Sequence, residues 1–254
     1  SNTPVIGITG PPGAGKSTLV NAMINHLSQG NKRIAVLAVD PTSPFNLGSL
    51  LGDRIRMAEQ FNKPNVYIRS IATRGSLGGL SAKSIEMVDV LKAAGFDYIL
   101  VETVGVGQSE VEIAGLADLT IVVLVPEAGD EIQQIKSGLM EIADVFIVNK
   151  ADREGADAFA NNLQKLVKAH RLEVIKTVAS TGEGIGRVAA FISAYQPMDN
   201  PRKKQLLLSK GWKLLQEEMV KKVDKTAFGS RLSQEAKVPE FNLYRFIEKE
   251  LEGR

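Results

Sequence analysis

Short runs of apolar, largely β-branched residues recur from Val5 to about Tyr195, separated by stretches whose apolar positions repeat at helical spacing. The runs Val5–Thr9, Ile34–Val39, Val66–Ile71, Tyr98–Val101, Thr120–Val125, Val145–Val148 and Val174–Val178 predict strands. Nearly all are continuously apolar rather than alternating, so the strands are expected to be buried on both faces, as in a parallel sheet. Between them, helices are expected at Lys16–Gln29, Gly52–Phe61, Ser81–Ala94, Glu131–Ile142, Ala156–His170 and Ile185–Ala194. Strand alternates with helix, and right-handed crossovers then place helices on both faces of one central sheet. After Gln196-Pro197 the pattern changes. A short linker and the basic stretch Pro201-Arg202-Lys203-Lys204 precede helical patterns at about Gln205–Val223 and Pro239–Leu251. The expected organisation is an α/β domain over residues 1–196 and a helical C-terminal appendage over 197–254.

Composition narrows the possible chemistry. The 254 residues are 44% hydrophobic and 24% charged, ordinary values for a globular chain, and a formal net charge of +2 gives no reason to expect a nucleic acid partner. There is no cysteine, which excludes a disulfide framework, a thiolate metal site and a cysteine nucleophile, and makes the cytoplasm the expected location. Apolar runs such as Ile34–Val39 and Ile121–Val125 are far shorter than the ~20 residues a bilayer span needs, so no membrane segment is expected. Ser1 to Pro4 lead directly into a strand-like run without a visible signal peptide, which reads as a trimmed chain or one lacking an upstream segment.

The first strand runs into Gly10-Pro11-Pro12-Gly13-Ala14-Gly15-Lys16-Ser17, which fits G-x-x-x-x-G-K-[ST], and a helical pattern follows at once. In such a loop the glycines turn backbone N–H groups inward around a polyphosphate, and the helix N-terminus adds its dipole. Lys16 supplies a mobile positive charge for the terminal phosphates, and Ser17 a hydroxyl for Mg²⁺. Gly13, Ala14, Gly15, Lys16, Ser17 and Thr18 are therefore expected to hold the phosphates of a nucleoside triphosphate.

Further along, Val145–Val148 leads into Asn149-Lys150-Ala151-Asp152, the N-K-x-D pattern of guanine-specific P-loop proteins. The Asp152 carboxylate can accept from both N1–H and the 2-amino group of guanine, whereas adenine offers neither donor. Asn149 and the Lys150 stem are expected to brace the loop and cover the base. The next strand ends in Ala179-Ser180-Thr181-Gly182-Glu183-Gly184, where a backbone N–H from Ala179 is expected to meet the guanine O6, with Val178 standing where such loops usually carry Ser. Two acidic residues, Asp40 and Glu102, follow strands whose carboxyl ends face the phosphate loop, so both are candidate Mg²⁺ partners. Gly105 stands where a glycine N–H meets the γ-phosphate. The residue after it is Val106, so a water-orienting Gln is missing from that position and intrinsic hydrolysis is expected to be slow. Two glycine-bearing stretches, Asn46–Gly52 and Thr73–Gly79, have the composition of segments that change conformation at low cost.

Taken together, Gly10–Ser17, Val39-Asp40-Pro41, Leu51-Gly52-Asp53-Arg54, Thr73-Arg74-Gly75, Glu102-Thr103-Val104-Gly105-Val106-Gly107-Gln108-Ser109-Glu110 and Asn149–Asp152 resemble the MeaB/ArgK family. These are bacterial relatives of the human methylmalonic aciduria type A protein, in the SIMIBI class of P-loop GTPases. The resemblance runs from about Val5 to Tyr195. It implies a GTPase, turning GTP into GDP, that gates cofactor loading and protects an adenosylcobalamin-dependent acyl-CoA mutase, usually methylmalonyl-CoA mutase. It also implies that Lys16, Ser17, Asp40, Asp53 and Glu102 surround Mg²⁺ and nucleotide, with Lys16, Glu102 and Gly105 closest to the chemistry. A mobile third switch of the family corresponds to Pro126–Lys136, its usual Gly-Gly-Asp being Ala128-Gly129-Asp130 here. No counterpart of the family's N-terminal helical extension precedes Val5, and the segment from His170 to Val174 is shorter than usual.

Other functions weigh against particular residues. A metallochaperone GTPase of the same class needs metal-capturing side chains, and this chain has no Cys and only His26 and His170. A small-molecule kinase, or the older family label of a kinase or ATPase of basic amino-acid transport, shares the P-loop but does not account for Asn149–Asp152. In the C-terminal part, Leu206-Leu207-Leu208, Trp212, Leu214-Leu215, Met219 and Val223 form more apolar surface than a short terminal helix needs. Members of the resembled family form homodimers through their C-terminal parts, so a dimerisation arm is expected.

Overall fold

The apolar pentapeptide Val5–Thr9 is buried at every position and forms β1, the strand flanked on both sides at the middle of the sheet. The computed structural model describes residues 3–40, 58–72, 82–103, 109–127, 139–196 and 201–252. The other strands are β2 (Ile34–Asp40), β3 (Val66–Ala72), β4 (Tyr98–Thr103), β5 (Leu119–Leu124), β6 (Val145–Val148) and β7 (Glu173–Lys176). All pairings are parallel, in a seven-stranded sheet of order β3-β2-β4-β1-β5-β6-β7. The described helices are α1 (Lys16–Leu27), α2 (Ala82–Ala93), α3 (Ser109–Leu116), α4 (Ala156–Val167), α5 (Ile185–Ala194), α6 (Pro201–Lys221), α7 (Lys225–Glu235) and α8 (Leu243–Glu252), with a short helical turn at Met140–Ile142.

Side chains alternate across a strand, and the core divides accordingly. Ile6 and Ile8 share one buried cluster with Leu19, Met23 and Ile24 of α1. Val5, Leu37, Ile99 and Val101 join a second cluster with Val88 and Leu91 of α2 and Ile113 of α3. Helices therefore cover both faces, as the alternation of patterns predicts.

Several boundaries differ from the sequence reading. β3 is an edge strand and is not buried on both faces, since Tyr67 is 39% exposed and Arg69 is also exposed. β4 runs two residues further than expected and carries Glu102 and Thr103 inside the sheet. β7 stops at Lys176, because Val178 leaves the sheet to bridge Glu183 in a local antiparallel turn. The helices beginning at Lys16 and Ala156 tighten early into 3₁₀ turns at Gln29–Asn31 and Lys168–His170. Of the expected helix at Gly52–Phe61 only a 3₁₀ turn at Ala58–Gln60 is described, and most of Glu131–Ile142 lies outside the described residues.

The helix expected from about Gln205 begins four residues earlier, so the basic stretch at Pro201 is the first turn of α6. Proline fits there because a helix's first N–H groups have no intrahelical acceptor. Two helices were not foreseen. α3 is short and takes in the last two residues of the motif that begins at Glu102, and α7 has little apolar periodicity but a clear cap, Asp224 Oδ1 accepting from Thr226 N–H at 2.9 Å and Ala227 N–H at 3.0 Å.

The chain falls into two compact units, Ser1–Leu206 and Leu207–Arg254. Within the second, the Phe228 and Phe246 rings pack at a centroid distance of 5.5 Å, and Arg231 holds the Glu250 carboxylate in a fork of 2.6 and 2.7 Å.

Candidate functional site

At the carboxyl end of β1 the chain must turn sharply beneath its neighbours, and two glycines make this possible. At Gly10 the backbone has φ 138°, and a Cβ would collide with the Val123 carbonyl oxygen of β5. At Gly15, φ 86°, a Cβ would collide with the Asn149 side-chain amide. The loop then delivers Lys16 and Ser17 to the start of α1. Lys16 is buried, and its Nζ donates to the carbonyls of Gly10 at 2.7 Å and Pro11 at 2.9 Å. The ammonium thus sits folded over the loop that is expected to hold the phosphates.

Ser17 Oγ donates to Glu102 Oε1 at 2.7 Å, joining two of the expected Mg²⁺ partners across 85 positions of sequence. Parallel register brings this about, because Glu102 lies level with Ile8 of β1 and Ala38 of β2. A hydroxyl and a carboxylate side by side are hard oxygen donors of the kind Mg²⁺ takes alongside phosphate oxygens and water, so the residues present fit that ion. Asp40 ends β2 on the far side of β4, at the same end of the sheet, with its backbone paired to Ala72. Asp53, Gly105 and Val106, together with Arg74, Gln108 and residues 128–136 of the expected third switch, lie outside the described residues. Beside Glu102, the buried hydroxyls of Thr103 and Thr9 bond at 3.0 Å and tie β4 to β1 where the phosphate loop begins.

The base site is organised by one buried amide. Asn149 Nδ2 donates to the Ala14 carbonyl at 2.9 Å, while its Oδ1 accepts from Thr177 Oγ1 and from the Ala179 N–H, both at 3.1 Å. The phosphate loop, the N-K-x-D turn and the loop after β7 are thereby fixed to one another. Lys150 takes the left-handed conformation, φ 55°, and Ala151 N–H closes the turn on the Thr177 carbonyl at 3.0 Å. Together these loops enclose a cavity of about 250 Å³ whose lining includes Asn149, Lys150, Asp152 and Ala179, assigned to the base from sequence, with Ser180 beside them and Thr18, assigned to the phosphates. Asp152 is exposed at its rim.

The Ala179 N–H, expected at the guanine O6, is engaged by Asn149, so a bound base would have to share that donor. Two residues of this site were missed. Thr177 could have been noticed as a lone hydroxyl at the end of an apolar strand. Arg153, which also lines the cavity, is simply the next residue after the N-K-x-D motif. Its guanidinium pairs with Glu127, holding that carboxyl below the usual carboxylate range, chiefly through the Arg153 hydrogen bond.

A larger hollow of about 610 Å³ lies at the amino ends of the strands, lined by Pro4, Tyr98 and Leu119 among others. It contains none of the motif residues, and its charged groups are already engaged, Lys32 with Asp97 at 2.9 Å and Asp118 with the Val5 N–H at 2.9 Å.

Comparison with known proteins gives the fold and the family. The solved structure of a LAO/AO transport system kinase matches with a TM-score of 0.60 at 24% identity, covering 98% of this chain and 80% of that one. A hydrogenase maturation factor HypB from Archaeoglobus fulgidus matches with a TM-score of 0.52 at 20% identity, over 75% of this chain and 89% of its own. At these identities the likeness is one of fold. Sequence relatives are nearer. A Pyrococcus horikoshii protein assigned as a GTPase is 52% identical over 193 residues, 72% of this chain and 61% of that protein. The mitochondrial methylmalonic aciduria type A homolog of Mus musculus is 41% identical over 190 residues, covering 71% of this chain and 46% of its own. The chain thus spans about three fifths of the archaeal relative and less than half of the mouse one. The sequence model described as methylmalonyl-CoA mutase-associated GTPase MeaB matches residues 1–227, and the chain belongs to that family.

Proposed function

We propose that this chain binds guanine nucleotides, hydrolyses GTP to GDP and phosphate, and uses that cycle to gate cofactor loading and protect an adenosylcobalamin-dependent acyl-CoA mutase, methylmalonyl-CoA mutase first among them. The observation that carries the nucleotide part is the triple contact of Asn149, which joins the phosphate loop to the base cavity. The mutase part rests on the family and on kinship with the methylmalonic aciduria protein.

Hydrolysis breaks the bond between the γ-phosphorus and the bridging oxygen and forms a new one to a water oxygen, whose protons pass to the phosphate products. For this, Lys16 must leave the Gly10 and Pro11 carbonyls for the terminal phosphates, where its charge opposes the negative charge that develops on the bridge. Backbone N–H groups at the start of α1 orient the phosphates. Ser17 and Glu102 would hold Mg²⁺, which when bound would supply charge neutralisation for the phosphates. Asp152 selects the base. Nothing in the chemistry of Val106 can orient water, so basal turnover is expected to fall well below the ~10 s⁻¹ typical of enzymes, and purified methylmalonyl-CoA mutase is expected to raise it. Phosphate release from GTP and from ATP, with and without the mutase, checks both expectations. Rapid partner-free hydrolysis would reveal an in-cis group, with Arg74 and Gln108 the first to test.

The same proposal assigns a cytoplasmic location, supported by the absence of cysteine, and a C-terminal dimerisation arm over residues 197–254. Leu208, Trp212, Leu215 and Met219, spaced at four, three and four along α6, are 74%, 63%, 50% and 59% exposed. Burying each large side chain is worth ~1.5–3 kcal/mol, which favours a second copy lying along this stripe. Sedimentation is expected to show a dimer for the natural sequence and a monomer for Leu208→Glu/Leu215→Glu. A natural chain that stays monomeric at micromolar concentration would contradict the arm.

A further inference from the structure

A purine is a flat, two-sided surface, and a tight base site covers it with groups that stack. Among the described residues lining the base cavity there is no aromatic side chain. The lining consists of small residues, the Lys150 stem, the polar groups of Asn149 and Asp152, and Arg153. Of these, the guanidinium of Arg153 is a delocalised cation plane that can lie against a purine with its charge still in water, as arginine planes do against exposed bases.

Arg153 is placed for this by contacts at each end. Its backbone N–H donates to the Lys150 carbonyl at 3.0 Å, so the turn that presents Asp152 also fixes where Arg153 leaves the chain. Its guanidinium is held by Glu127, at the exit of β5, whose carboxyl is kept ionised by that hydrogen bond. Both side chains are about half exposed, 49% and 48%, and a pair so open to water contributes little to folding. An ion pair that adds little stability but orients a planar cation at the rim of a cavity is better explained by what it presents to a ligand.

We infer that Arg153, oriented by Glu127, is the stacking wall of the base site, covering one face of the guanine while Asp152 reads its edge. This rests on the guanine-nucleotide reading above and adds to it a residue outside the N-K-x-D motif. Stacking does not sense exocyclic groups, so Arg153 sets how tightly a purine is held, and Asp152 sets which purine it is.

The test is calorimetric titration of the full chain with GDP, inosine diphosphate and ADP. Arg153→Ala is expected to weaken GDP and inosine diphosphate by the same factor, about tenfold, in line with what aromatic stacking contributes per base. Arg153→Lys, which keeps the charge and loses the plane, should recover little. Glu127→Gln should weaken GDP by a smaller factor, and Glu127→Gln combined with Arg153→Ala should be no worse than Arg153→Ala alone. Full affinity in Arg153→Lys, an unchanged Kd in Arg153→Ala, or additive losses in the double variant would each overturn the inference. A natural chain that bound ADP as tightly as GDP would instead overturn the guanine reading, and this inference with it. Thermal melts of the variants should stay within about 2 °C of the natural chain, as expected for half-exposed side chains.

Discussion

Lys16→Ala is expected to lower GTP turnover at least 10²–10³-fold, the scale on which removal of one electrostatic stabiliser of a transition state is felt. The structure makes the lysine's position specific. Its Nζ reaches two carbonyls of its own loop, Gly10 at 2.7 Å and Pro11 at 2.9 Å, and the side chain is only 6% exposed. The ammonium is therefore preorganised over the phosphate cradle and has only to exchange carbonyl oxygens for phosphate oxygens. Removing it also leaves those carbonyls without a charged donor, at a cost of ~1–3 kcal/mol, or several degrees in Tm for a chain of this size. The two effects separate cleanly. Circular dichroism should show a modestly destabilised but folded protein, while single-turnover phosphate release at saturating GTP collapses. Arginine should not rescue, because its rigid fork does not match carbonyls arranged around a compact ammonium. A variant keeping more than about a tenth of the natural turnover would remove Lys16 from the reaction.

The residues that act through backbone geometry were the most legible in the sequence. Gly10 and Gly15 sit in left-handed or crowded positions that other side chains do not tolerate, so the motif they punctuate has a steric cause and could be read without a structure. Glu102 was legible for a topological reason, since ligands of a parallel sheet collect at the carboxyl ends of its strands. Its contact with Ser17 was not, because it depends on the register of β1 against β4, which no local pattern encodes. Thr177 and Arg153 were missed for a related reason. Each acts through a partner far away in sequence, Asn149 in one case and Glu127 in the other. Periodicity failed where burial is one-sided or capping decides. β3 reads as a buried strand but lies at the sheet edge, and α7 is started by the Asp224 cap rather than by an apolar stripe.

Exchanging Asp152 for asparagine is expected to move the base preference from guanine to xanthine. Guanine presents two donors, N1–H and the 2-amino group, to a carboxylate that offers only acceptors. Asparagine keeps one acceptor and replaces the other with an N–H₂, which meets the 2-amino group donor to donor. Xanthine keeps N1–H but carries an oxygen at position two, and so pairs with the asparagine amide. The size of the change follows from the surroundings. A fully desolvated pair of charged hydrogen bonds would cost up to ~6 kcal/mol to lose, but Asp152 is exposed at the rim of its cavity, so water offsets part of the loss. A loss of about 2–3 kcal/mol, or roughly 30–150-fold in GDP affinity, is the expected outcome. Xanthosine diphosphate should gain by a similar factor. Lys150 and Asn149 are untouched by the exchange, so the Asn149 bonds to Ala14, Thr177 and Ala179 should persist and the phosphate loop should hold its shape. Phosphate-side behaviour then serves as the internal control. Asp152→Asn supplied with xanthosine triphosphate should hydrolyse it at the rate the natural chain hydrolyses GTP. Equal affinity of Asp152→Asn for GDP and xanthosine diphosphate, with GDP unchanged from the natural chain, would show that Asp152 does not read the base.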